Sequence, residues 1–261
     1  MRLAVGLSLC LLVAFFASAQ NPPASAPQAS ALATQSIGAL TNGTAISDVN
    51  LTGNVTSIAG SDVETGTGAF VAKGTGESRV DLTLSGGMRS EIRNSSNGFP
   101  QGAWISNGGT STAYAQHNCW TDAAWFFPAL TSFSASDPSI VLSYVGLENR
   151  SGLSVQHLRA YRYISSPSTE VTAQTQQLSS TDFYLDSVSL LPLAVEFKVH
   201  PDNDMNTDIR TEVRFADYRA VNGILAPFHI QRLVNGGLVM DMTIISAAVN
   251  SGLPDSLFNI Q

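Results

Sequence analysis

Cysteine is almost absent. Cys10 and Cys119 are the only two, and Cys10 lies inside an apolar leader, so the mature chain is expected to hold one thiol and no internal disulfide despite an oxidising destination. Stability then has to come from a core. Lysine is equally scarce, with Lys73 and Lys198 alone. Loss of the leader removes Arg2 and leaves twelve basic against twenty acidic residues, a formal charge of −8. That balance excludes nucleic acid as a partner and excludes electrostatic attachment to an anionic membrane. Catalytic signatures are missing as well: there is no G-x-S-x-G, Walker or dinucleotide pattern. His117 and Cys119 offer two zinc ligands, but no C-x-x-C or H-x-x-x-H supplies the others. Asp202, Asn203 and Asp204 resemble half a calcium loop without its later Gly and Glu, and read better as a turn. The expectation is a non-enzyme with no cofactor and no metal.

What is present begins with that leader. Met1-Arg2, the apolar run 3–16 and Ala17-Ser18-Ala19 make a signal peptide cleaved before Gln20. The run is too short and too abruptly closed for a membrane anchor. Residues 20–28 read as a Pro/Ala/Ser linker and 30–40 as a helix, stopped by Asn42-Gly43. The assignment is 1–19 signal peptide, 20–45 linker and helix, and 46–261 one antiparallel domain.

From residue 49 onward apolar and polar residues alternate, the period-2 signature of strands. Gly53 falls at an inward position, which implies a bend or a close backbone approach. Across the turn Ser85-Gly86-Gly87, a three-residue loop places Val80 beside Ile92 and turns Arg89, Glu91 and Arg93 outward with Asp81. Residues 191–200 and 208–217 alternate most cleanly, with Leu193, Val195, Phe197, Val213 and Phe215 inward. About eleven strands joined by short turns, with no long helix between them, predict a mainly β fold: an incomplete antiparallel barrel.

The alternation stops at residues 117–130. Two of the three tryptophans, Trp120 and Trp125, stand there with Cys119 and the pair Phe126-Phe127. Residues 122–127 are expected to form a short helix ended by Pro128. An apolar insert in a β chain needs a surface to cover, and the concave face of the sheet is that surface.

The segment 215–228, with Asp217-Tyr218, the turn Asn222-Gly223 and Pro227, is followed by two strands and a tail that carries Asn250 and Phe258. This pattern resembles the outer-membrane lipoprotein carrier-like superfamily. The resemblance implies an incomplete barrel covered by helices and a hydrophobic ligand. It also implies an arginine that latches the lid, for which Arg89 and Arg93 are both positioned.

The functional expectation is an exported protein, periplasmic or extracellular, that binds or carries a lipid or acyl chain in the concave face. Trp120, Trp125, Phe126 and Phe127 form the cover, and Val80, Leu82, Ile92, Val195, Phe197 and Phe215 form the floor. The expected partners are a hydrophobic small molecule, a lipid or a lipoprotein acyl chain, and the protein is expected to be a monomer that does not span a membrane. Two other classes stay open: a structural or assembly module of the cell envelope, and a secreted hydrolase using Cys119 with His117.

Overall fold

The computed structural model describes residues 23–96, 98–127, 137–166 and 168–260. The leader, Pro128 and the flank 131–136 lie outside the described residues. The first element is helix α1 (Pro27–Thr41), with Pro27 in its first turn, where a missing N–H costs nothing. It ends at Asn42, left-handed at φ 49°. Its Ala29, Ala33 and Leu40 are buried.

The strands follow: β1 (Asp48–Ala59), β2 (Asp62–Lys73), β3 (Ser78–Leu84), β4 (Gly87–Ser96), β5 (Phe99–Ile105), β6 (Ser111–Ala113), β7 (Ile140–Arg150), β8 (Leu153–Arg162), β9 (Thr181–Asp186), β10 (Pro192–Val199), β11 (Ile209–Val221), β12 (Ile224–Val234) and β13 (Gly237–Val249). They form one antiparallel sheet in the order β6-β5-β4-β3-β2-β1-β13-β12-β11-β10-β9-β8-β7. β6 and β7 are its two free edges, so the barrel is incomplete. The total of thirteen exceeds the eleven or so expected, although each segment picked out by alternation is a strand.

Local chemistry explains the joints. Asn222-Gly223 and Asn235-Gly236 have positive φ at both positions and turn β11 into β12 and β12 into β13, the geometry that matches strand twist in a two-residue hairpin. At Gly53 the β1–β13 register shifts. A Cβ there would stand 2.1 Å from the Thr243 carbonyl oxygen, which is the close backbone approach its sequence position implied.

The concave face holds the core. Phe70, Val80, Val195, Phe197, Val213, Phe215, Ile230 and Met242 belong to one buried cluster that also contains Ala29 and Ala33 of α1. Each large side chain so buried contributes about 1.5–3 kcal/mol. α1 lies against β7 and β12, and its leading residues reach the β7 edge, where Ala26 N–H donates to the Leu142 carbonyl at 2.8 Å.

Three expectations are corrected. First, the β3–β4 loop is Ser85-Gly86, two residues, and pairs Leu84 with Gly87 and Val80 with Glu91. A one-residue change of register exchanges the faces of β4. Glu91 and Arg93 therefore point inward, and Ile92 faces outward opposite Arg79. Second, β8 and β9 are joined not by a short turn but through a helix, α2 (Thr169–Leu178), capped by the Ser168 side chain accepting from Val171 N–H. Third, Leu193 sits at a register shift and packs with Val155, Tyr184 and Ala194 on the outer face.

Candidate functional site

The insert crosses the gap between the two halves of the open sheet. It starts as a 3-10 turn, Gln116–Trp120, and continues as turns through residues 123–126. The expected helix over 122–127 is absent, and the hydrogen bonds show why. Arg93 Nη2 donates to the carbonyls of Cys119 and Thr121 at 2.8 and 2.9 Å, and the second is an acceptor that a helix starting at Asp122 would need for its first turn. Asp122 Oδ1 accepts from Ala124 N–H at 2.9 Å, a local turn that competes with a helix.

The opposite side of the insert is fastened to the end of β10. Asn118 donates from Nδ2 to the His200 carbonyl at 2.7 Å, and its Oδ1 accepts from His200 N–H at 2.8 Å. His117 donates from Nε2 to the Pro201 carbonyl at 3.0 Å. The insert is thus a strap held by side chains at both margins.

Beneath the strap the concave face is filled. Trp125, Phe126 and Phe127 are 3%, 0% and 1% exposed. Phe70 meets Trp125 and Phe126 edge-on, with ring centroids 5.7 and 5.2 Å apart. Beside the strap lies an open cleft of about 640 Å³. Trp120, Phe99, Tyr161, Ile140 and Phe183 line it with apolar surface, and Arg93, Asn94, Ser139 and Arg162 with polar groups.

The inner face also carries a charged cluster. Glu91 lies 3.8 Å from Arg93 Nη1 and 3.9 Å from Arg232 Nη1. Arg232 comes from β12 and stacks on the Trp125 ring at 4.9 Å. Tyr114 lies near Glu91, and burial with that carboxylate nearby pushes the phenol well above its ordinary range. Arg93, the residue that holds the strap, therefore sits between the cleft and the interior.

Of the expected cover, Trp120 lines the cleft, whereas Trp125, Phe126 and Phe127 sit in the core. Of the expected floor, Val80, Val195, Phe197 and Phe215 share that core, and Leu82 packs against it. Ile92 lies on the outer face, near where Asn94 Nδ2 donates to the Phe258 carbonyl of the C-terminal tail. Sequence reasoning placed Glu91 outward and did not single out Arg232, because their meeting depends on a two-residue loop and on the closure of a curved sheet. The one legible signal was a charged residue, Arg232, at an inward position of β12.

Cys119 is buried, and its thiol lies against the Ala115 carbonyl at 3.7 Å. Burial pushes its pKa up, against the opposing influence of Arg93, so this environment does not activate a nucleophile. Among the described residues, no three metal-ligating side chains converge, and no helix is long and apolar enough to cross a membrane.

The sequence matches no family model and no curated protein. Solved structures do match in shape. One is a protein domain from Vibrio parahaemolyticus assigned to outer membrane lipoprotein sorting. It is 13% identical with a TM-score of 0.55, over 89% of this chain and 96% of that one. Another is a DUF1329 family protein from Desulfovibrio piger, 12% identical with a TM-score of 0.55, over 91% of this chain and 98% of the other. The chain has the lipoprotein-carrier-like fold. In that fold the strap occupies the concave face of the half-barrel, and Arg93 rather than Arg89 holds it. Arg89 is paired with Glu64 instead.

Proposed function

We propose that this protein is exported after loss of its leader, as a monomer, and binds the acyl chain of a lipid or lipoprotein under the strap. The observation that carries the reading is how the strap is held. An aromatic segment completes the core, and among the described residues its margins are fastened by hydrogen bonds from Arg93, Asn118, His117 and Gln116, next to an amphipathic cleft. Such a segment can leave as a unit and exchange its aromatic rings for an acyl chain of similar polarity. The lipoprotein-sorting name of the Vibrio parahaemolyticus domain supports the same ligand class. The test is native mass spectrometry of protein purified from its own host, together with uptake of a fluorescent fatty acid. A co-purified lipid, or saturable uptake at micromolar concentration, is the expected result. No lipid and no uptake overturns the reading.

The near-complete burial of Trp125, Phe126 and Phe127 favours a second reading, a structural module whose insert is ordinary core. Trp125→Ala separates the two. Truncating a fixed core tryptophan costs about 3–5 kcal/mol, whereas loss of a residue from a releasable strap costs less and alters uptake of the acyl probe.

A further inference from the structure

The charged cluster under the strap has donors with nothing to donate to. Arg232 makes no side-chain hydrogen bond to any described residue: its nearest charge partner, Glu91, is 3.9 Å away, beyond hydrogen-bond reach. Its Nε is buried and unpartnered, and so is Nε1 of Trp125, whose ring lies 4.9 Å from the guanidinium. Thr211 Oγ1 is a third such atom, on a residue with no exposure. Thr211 pairs with Val234 and Val213 pairs with Arg232, so Thr211 and Arg232 are diagonal neighbours on the inner face, about 7–8 Å apart at Cα. Buried donors left unmatched are costly, and Arg232 and Thr211, neighbours on one face, call for an acceptor group. The nearby charges do not supply that group. The cluster holds two guanidinium groups and one carboxylate, and Glu64 is committed to Arg89.

We propose that Arg232, with Thr211 beside it, receives the anionic head of an acyl-chain ligand, a carboxylate or a phosphate ester, while the chain takes the space that Trp125, Phe126 and Phe127 vacate when the strap leaves. This rests on the acyl-binding reading above. It selects acidic amphiphiles over neutral ones. A charge-assisted contact to this half-buried guanidinium makes the expected preference about tenfold or more.

The experiment is competition against a fluorescent acyl probe on the intact protein, using hexadecanoate, hexadecyl phosphate, hexadecanol and inorganic phosphate. The expected result is that both acids displace the probe at about tenfold lower concentration than the alcohol. Arg232→Met is expected to remove that preference and leave hexadecanol unchanged. Equal displacement by acid and alcohol in the wild-type protein overturns the head-group site and leaves acyl binding standing, the donors then being hydrated. Tight binding of inorganic phosphate that no acyl compound displaces assigns the site to a free anion and overturns the proposal. Failure of every acyl compound to bind removes the acyl reading and this inference together. The wild-type comparison decides the matter even if a variant does not fold.

Discussion

Replacing Arg93 with methionine tests whether the strap is a separable unit. The side chain is 5% exposed and makes two short charge-assisted bonds, to the Cys119 and Thr121 carbonyls at 2.8 and 2.9 Å. Each is worth about 1.5–3 kcal/mol, and deletion leaves the carbonyls unpaired. Glu91 keeps Tyr114 and Arg232, and the methionine recovers part of the apolar contact. The expected loss is about 3–5 kcal/mol, the usual range for breaking a buried charge partnership.

Where that loss appears is the informative part. For a strap that leaves alone, amide exchange across residues 118–127 accelerates by about 10²–10³, while the global denaturation midpoint moves little. For a strap that is ordinary core, the full loss falls on global unfolding. With a urea m-value of about 3 kcal/mol/M, the midpoint then drops by about 1–1.5 M and exchange in the strap tracks the rest of the sheet. If neither exchange nor midpoint changes, Arg93 does not latch the strap and the reasoning fails.

Cys119 should react slowly with an aromatic disulfide reagent at neutral pH, since it is buried and its pKa is pushed up; Arg93→Met should speed the reaction, and fast labelling of the wild-type protein would contradict the burial argument. Gly53→Ala should destabilise by about 1–3 kcal/mol in chemical denaturation, because its Cβ would meet the Thr243 carbonyl oxygen at 2.1 Å; an unchanged midpoint would mean that the bulge relaxes. His157 is desolvated by burial, which lowers its pKa, but hydrogen bonds to Asp182 and Glu148 outweigh this and raise it above the ordinary 6.5. That contribution is present in full below pH 6.5 and is lost as pH rises through the folded value. His157→Gln should therefore cost most in mildly acid buffer and progressively less in alkaline buffer; a cost that grows with pH would show that the imidazole is held neutral.

Each segment that period-2 alternation picked out is a strand because one face of this sheet is buried and the other is wet, so burial writes itself directly into the residue order. Val195, Phe197, Val213 and Phe215 read correctly for that reason. The apolar density at residues 120–127 likewise announced a segment that must cover something. Asn235-Gly236 announced a hairpin because few residues tolerate positive φ there. α2 was legible only in the capping by Ser168, since its residues are too polar to make a stripe.

What tertiary structure alone decided is the polar half of the site. Whether Glu91 and Arg93 face in or out depends on one residue of loop length after Leu84, and alternation reads equally well with either register. Arg232 reaches Glu91 across the hollow of the half-barrel from a strand far along the chain. That distance is set by how tightly the whole sheet coils, and no local pattern carries it. The strap's conformation was decided the same way, because Arg93 takes the Thr121 carbonyl that a local helix would have used.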